Sequence, residues 1–199
     1  MHYIFNKGQK GKPIFLLLHG TGSDERGLLP LANILDDSYG VLSVRGNVQE
    51  NGMNRYFKRL SFGQYDLEDL NYRGQELLDF LQEISKSEGF DLKNLIPVGF
   101  SNGANIAIHL LLREDVNIKR SILFAPLYPL DLTDNIKDMS NLKVFLSVGD
   151  NDPMVTLEDN EYVEQIFTSR GAKVTTVHVN GHEITTDAVE KAKTWLLNH

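Results

Sequence analysis

The sequence predicts an α/β protein with a mostly parallel central sheet and helices on both faces. Two observations carry that expectation. Short apolar runs alternate with segments of helical periodicity along the whole chain, the order that parallel strands joined by helical crossovers require. In addition, residues 98–105, VGFSNGAN, join an apolar run to a helical pattern with almost no loop between them. A strand there must turn into a helix within one residue.

Each element follows from its own pattern. Ile14–Leu18 is an unbroken apolar run and reads as a strand, and Leu28–Leu35 keeps its apolar residues on one helical face. Val41–Val44 is a second strand. Asp69–Ser87 reads as a long amphipathic helix, with Leu70, Leu77, Leu78, Leu81 and Ile84 along one side. Leu95–Phe100 is a third strand, Asn102–Arg113 a helix, and Ser121–Phe124 a fourth strand. Val144–Val148 follows as the fifth, then a helix over about 156–170, a sixth strand at Lys173–Val179 and a last helix at Ile184–Leu197.

No repeat, low-complexity tract or linker divides the 199 residues, so the reading is one domain over 1–199. The composition is that of a globular protein, 41% hydrophobic and 24% charged. A net charge of −7 disfavours nucleic acid or an anionic membrane as a partner. There is no cysteine, which excludes disulfides, thiolate metal sites and a cysteine nucleophile. Ile14–Leu18 is too short to span a membrane, and no signal-peptide cleavage pattern is present. A soluble, cytoplasmic protein without membrane insertion is expected, and a homodimer is compatible with the sequence.

The glycines around Ser101 point to chemistry. Gly99-Phe-Ser-Asn-Gly103 fits the Gly-x-Ser-x-Gly elbow, which lifts a serine hydroxyl to the rim of a sheet. Sites in parallel sheets form at the carboxyl ends of strands, where Ser101 falls. A serine needs a base, and the base needs an orienting group, in the chain order serine, acid, histidine. His109 lies within the following helix, His178 within the last strand and His199 at the terminus. His182 follows Gly181 in a strand-end loop and is the candidate base. The loop after the fifth strand, GDNDPMV, offers two acids. Asp152, farther into the loop, is favoured to reach the imidazole, and Asp150 is the alternative. Oxyanion donors are expected from the backbone N–H groups of Asn102 and of Thr21, in the open loop His19-Gly-Thr-Gly22. His19 is read as a structural hydrogen-bonding residue, with a second base as the alternative. No histidine and carboxylate pair has metal-ligand spacing, so no metal is expected.

These pieces resemble the α/β-hydrolase superfamily, and within it the small phospholipase/carboxylesterase family that includes acyl-protein thioesterases and bacterial carboxylesterases. The matching stretches are LLLHGTGSDE, VLSVRGNVQENGMNRYF, VGFSNGANIA, GDNDPMV and NGHEIT, which span most of the chain. The RGN…ENGM stretch is the most specific and resembles a bacterial branch linked to hydroquinone or aromatic-compound resistance. The resemblance implies a triad of Ser101, Asp152 and His182, an oxyanion hole of Thr21 and Asn102, and hydrolysis of small-molecule esters or thioesters without a cofactor. It departs at two points. The related dienelactone hydrolases carry cysteine where this chain has Ser101, and many of the thioesterases carry glutamine where it has Asn102.

Only about residues 125–142 are available for a cap, so no large cap domain is expected and the site should be open and shallow. Cover is expected instead from the long 45–63 segment, whose aromatics Tyr56, Phe57 and Phe62 are candidates for a pocket wall. Its basic residues Arg45, Arg55, Lys58 and Arg59 either pair with Asp66, Glu68 and Asp69 or face the substrate. Arg55, Phe57 and Arg59 are the candidate substrate-binding residues. A serine carboxylesterase is the leading reading. An acyl-protein thioesterase or lysophospholipase using the same residues is the enzymatic alternative, and a non-catalytic small-molecule binding protein on this fold is the alternative of another class.

Overall fold

The computed structural model describes residues 1–199. In chain order the first elements are β1 (Tyr3–Asn6), β2 (Ile14–Leu18), α1 (Leu29–Asp36), β3 (Gly40–Val44), β4 (Val48–Glu50), β5 (Met53–Arg55), β6 (Arg59–Ser61), β7 (Gln64–Tyr65) and α2 (Leu67–Glu88). Then come β8 (Leu95–Phe100), α3 (Asn102–Leu111), β9 (Arg120–Phe124), β10 (Lys143–Gly149), α4 (Leu157–Thr168), β11 (Lys173–Val179) and α5 (Thr186–Leu197). Seven strands form one sheet in the order β1-β3-β2-β8-β9-β10-β11. Every pairing in it is parallel except β1 with β3. No helix is long and apolar enough to cross a membrane.

Alternation along the strands explains why both faces are covered. Ile14, Leu16 and Leu18 of β2 enter one core, and Phe15 and Leu17 enter the other. The first core is closed by α2, α3 and α4, through residues such as Leu77, Leu81, Ile108 and Val163. The second is closed by α1 and α5, through Leu31, Leu35, Val189 and Trp195. Each fully buried leucine or phenylalanine contributes about 1.5–3 kcal/mol by leaving water, and losing that burial on either face would open the sheet.

The helix ends follow local chemistry. Asp66 caps α2 by accepting from the Asp69 N–H, and Gly89 ends it in the left-handed region at φ 73°. Helix α2 therefore starts two residues before the expected Asp69. Thr156 and Asp159 form a reciprocal capping box at α4.

Two features depart from the sequence expectation. The main sheet has an additional strand, β1, paired antiparallel to β3 with Tyr3 opposite Val44. The 45–63 segment is also not a plain loop, because β4 pairs with β5 and β6 with β7 as two small hairpins. Residues 125–142 hold no helix or strand, so no cap domain is built there.

The strand order fixes where a site can form. From β2 the chain moves outward to β3, then returns through β8 on the other side of β2. The loops leaving β2 and β8 thus diverge at their carboxyl ends and leave a crevice at the point where the order reverses. Those loops carry Thr21 and Ser101.

Candidate active site

Ser101 sits at φ 52° and ψ −117°, a backbone conformation that side-chain-bearing residues rarely adopt. Its surroundings enforce that shape. The Ser101 N–H donates to the Phe124 carbonyl at the end of β9 (2.9 Å), and its own carbonyl accepts from Asn105 (3.0 Å). A Cβ on Gly99 would lie 2.6 Å from the Ala104 backbone, and one on Gly103 would overlap the Leu18 carbonyl. The glycines let α3 start directly against the ends of β8 and β2, which lifts the serine side chain out of the sheet.

The two other strand-end residues meet this hydroxyl. His182 Nε2 lies 2.8 Å from Ser101 Oγ, and His182 Nδ1 lies 2.7 Å from Asp152 Oδ2. A carboxylate only accepts, so Nδ1 carries the ring hydrogen and Nε2 is free to accept from the serine hydroxyl. The Asp152 side chain is fully buried, and its second oxygen accepts from the Met154 N–H at 2.7 Å. The Phe100 ring packs beside the imidazole, with centroids 5.4 Å apart.

Asp150 is turned elsewhere. It pairs with His178 at 2.7 Å on the surface, where both side chains are more than half exposed. His109 is half-buried behind α3 against Tyr128, with Nδ1 2.8 Å from the phenol oxygen, and burial pushes its imidazole down to about 4. His199 stacks on Trp195.

The loop after β2 supplies open backbone. The Thr21 and Asn102 N–H groups donate to no other atom of the chain, and both residues line the cavity in front of Ser101. His19 is buried and makes no contact with the serine. Its Nε2 accepts from the Gly46 N–H (3.1 Å), so its Nδ1 donates to the Gly20 carbonyl (2.7 Å). Burial holds this imidazole below its ordinary value, in keeping with a neutral structural residue.

The 45–57 segment grips that same loop, which the sequence reading did not anticipate. Tyr56 Oη accepts from the His19 N–H (3.0 Å) and donates to the Val44 carbonyl (2.5 Å). Arg55 Nη1 donates to Thr21 Oγ1 (2.8 Å), and the Gly22 N–H donates to the Asn54 carbonyl (2.9 Å). Arg45 clamps Glu25 at 2.5 Å and holds that carboxyl down at about 2. On the other side, the Tyr56 N–H donates to Asn102 Oδ1 (2.8 Å). The segment thereby ties the loop after β2 to the first residue of α3.

The cavity has a volume of about 330 Å³, and Thr21, Ser101, Asn102 and His182 form one part of its wall. Met53, Phe62, Tyr65 and Met154 supply apolar cover, and Arg55 and Arg59 supply two cations. Phe57 is not part of this wall. It is fully buried in the core, edge-on to Tyr65, because the β5–β6 connection turns it inward. Its carbonyl instead accepts from Arg55 Nε (3.3 Å). The expected partners of the basic residues also need correction: Lys58 lies 3.9 Å from Asp69, but Arg59 pairs with Glu50 at 2.9 Å and Arg45 with Glu25. A larger groove between residues 131–138 and α4 shares no residue with the Ser101 cavity. No group of three or more histidine or acidic side chains stands close enough to hold a metal ion.

Comparison with known proteins agrees with this architecture. The phospholipase/carboxylesterase family profile matches residues 1–199. MhqD of Bacillus subtilis (strain 168) is 40% identical over 196 residues, covering 98% of this chain and 97% of MhqD. A Bacillus cereus carboxylesterase of known structure is 43% identical, with a TM-score of 0.95 over 98% of this chain and 93% of that one. YahD, solved with malic acid, is 32% identical, with a TM-score of 0.95 over 99% and 98% of the two chains. The chain belongs to the phospholipase/carboxylesterase family, has an α/β-hydrolase fold, and is a carboxylesterase-type hydrolase.

Proposed function

We propose that the chain is a serine carboxylesterase that cleaves small-molecule esters through an acyl-enzyme. Ser101 Oγ attacks the ester carbonyl while His182 Nε2 takes its proton, and the carbonyl oxygen becomes an oxyanion. The Thr21 and Asn102 N–H groups donate to that oxyanion from fixed backbone positions. Collapse of the tetrahedral intermediate expels the alcohol, which leaves with the proton held by His182. Water then attacks the acyl-serine, again with His182 as base, and releases the acid. Asp152 orients the ring and stabilises its charged form without taking the proton. No step in this scheme needs a cofactor.

The observation that carries the reading is the unbroken chain from Asp152 through His182 to a serine held in a strained turn, with distances of 2.7 and 2.8 Å. Replacing Ser101 by alanine tests it. Hydrolysis of phenyl acetate should fall by ~10⁴-fold or more, with an unchanged circular-dichroism spectrum. Activity retained in a folded variant would remove Ser101 from the mechanism.

A further inference from the structure

The cavity in front of Ser101 is cationic in a protein whose net charge is −7. Its lining side chains include two guanidinium groups and no carboxylate. The nearest acids are already committed. Asp152 is buried behind His182. Glu50 faces Arg59, with Arg59 Nε 3.0 Å from Oε1 and Nη2 2.9 Å from Oε2. Arg55 stands 3.7 Å from Glu50, within ion-pair range but without a hydrogen bond to it.

Arg55 is therefore an unusual cation. Its side chain is only 6% exposed. Its Nε and Nη1 donate to neutral oxygens, the Phe57 carbonyl and Thr21 Oγ1, and Nη2 donates to no atom of the chain. Buried charges are ordinarily matched by a counter-charge of their own, because desolvation is otherwise uncompensated. Burial, then the neighbouring Arg59, hold this guanidinium below the ordinary arginine value. An anion entering the cavity would relieve both effects and meet a planar donor already fixed in place.

We infer that the preferred substrates are small esters bearing a carboxylate, bound by Arg55 with support from Arg59, with an apolar remainder against Met53, Phe62 and Met154. This rests on the esterase reading and narrows its substrate class. A cavity of about 330 Å³ lies at the small end of ligand sites, which suits such a compact molecule. The anion belongs either to the acyl part or to the alcohol part of the ester, and the two are separable by choice of probe.

The test compares kcat/KM for four esters in wild type, Arg55→Met, Arg59→Met and Glu50→Gln. Monophenyl succinate carries its carboxylate on the acyl side and phenyl butyrate is its neutral partner. 3-Acetoxybenzoate carries it on the alcohol side and phenyl acetate is its neutral partner. For at least one pair, the anionic-to-neutral ratio should fall about tenfold or more in Arg55→Met and less in Arg59→Met. In Glu50→Gln, which removes the competing carboxylate, the same ratio should rise severalfold. In wild type, added salt should lower kcat/KM for the anionic ester alone.

Equal losses on anionic and neutral esters in Arg55→Met would overturn the inference and leave Arg55 as a support for Thr21. An unchanged ratio in Glu50→Gln would overturn it as well, and does not depend on how well Arg55→Met folds. Absence of turnover of all four esters by wild type would instead count against the esterase reading itself.

Discussion

Ser101 and Arg55 face one cavity but are held there by different kinds of structure. The serine, His182 and Asp152 stand at the ends of β8, β11 and β10, all laddered into the main sheet, with β8 and β10 buried on both faces and β11 at its edge. Arg55 belongs to an excursion of two short hairpins that touch the main sheet only through side chains and loop backbone. The strand ends need only short loops to aim a side chain, since the sheet already fixes their origins. The excursion is ordered by burial of Tyr56, Phe57 and Tyr65 in the core and by a set of polar contacts to the loop after β2 and to α3. Damage at the strand ends should thus abolish chemistry while leaving the fold. Damage in the excursion should cost stability and act on chemistry only through substrate selection by Arg55 and the placement of Thr21.

The largest effect should come from the acid at the end of β10. Asp152→Asn is expected to lower kcat by ~10⁴-fold, because the amide no longer holds the ring tautomer that leaves Nε2 free to accept. Asp150→Asn, two residues away, removes only an exposed pair with His178 and should change kcat by less than about twofold. Steady-state kinetics of both variants on phenyl acetate decide this, and a larger loss in Asp150→Asn would reverse the assignment of the acid.

Tyr56→Phe probes the excursion. It strips the partner from two buried backbone groups, the His19 N–H and the Val44 carbonyl, and should cost about 3 kcal/mol of stability. For a chain of this size that is a drop in Tm of about 6–12 °C. The kinetic loss should be far smaller than in Asp152→Asn and should track the loosening of Thr21. An unchanged Tm would mean that the excursion does not hold the loop after β2.

His109 supplies a smaller effect on the far side of α3, away from both regions. Burial, then the nearby Arg113, depress its folded-state value to about 4, below the ordinary 6.5. Between those values the unfolded chain binds a proton that the folded chain does not. Stability contributed by the neutral ring is complete above pH 6.5, declines as the pH falls, and is lost near pH 4. The loss is at most about 3 kcal/mol. Urea unfolding of wild type and His109→Gln should give a shallower decline in the variant between pH 7 and 4. Parallel declines would assign the acid sensitivity to other groups.

The same contrast explains what could be read from the sequence. The six long strands were legible because each is an apolar run flanked by helical periodicity. The elbow was legible because Gly99 and Gly103 are needed wherever a helix starts against a strand end. The strand-end positions of His182 and Asp152 followed from chain order and loop position. Strand β1 is not legible in the sequence because Tyr3-Ile-Phe-Asn is short and half-exposed at a sheet edge, with no periodicity to mark it. In the excursion the composition drew notice but the partners did not follow. Proximity in sequence points Arg59 to Asp66, Glu68 and Asp69, whereas the fold pairs it with Glu50, since sequence says nothing about how a hairpin folds back. Phe57 looked like a pocket aromatic, yet the turn after β5 buries it. Tyr56 carried no signal for its hydrogen bonds to residues 19, 44 and 102, which are set by three-dimensional closure alone.

In the proposed mechanism the strand ends turn Ser101 into an activated nucleophile. The direct measurement is intact-protein and peptide mass spectrometry after treatment with a fluorophosphonate. A single adduct on the peptide containing Ser101 is expected, formed rapidly in wild type, absent in Ser101→Ala and strongly slowed in His182→Ala. An adduct on another residue, or undiminished labelling of Ser101→Ala, would contradict the account.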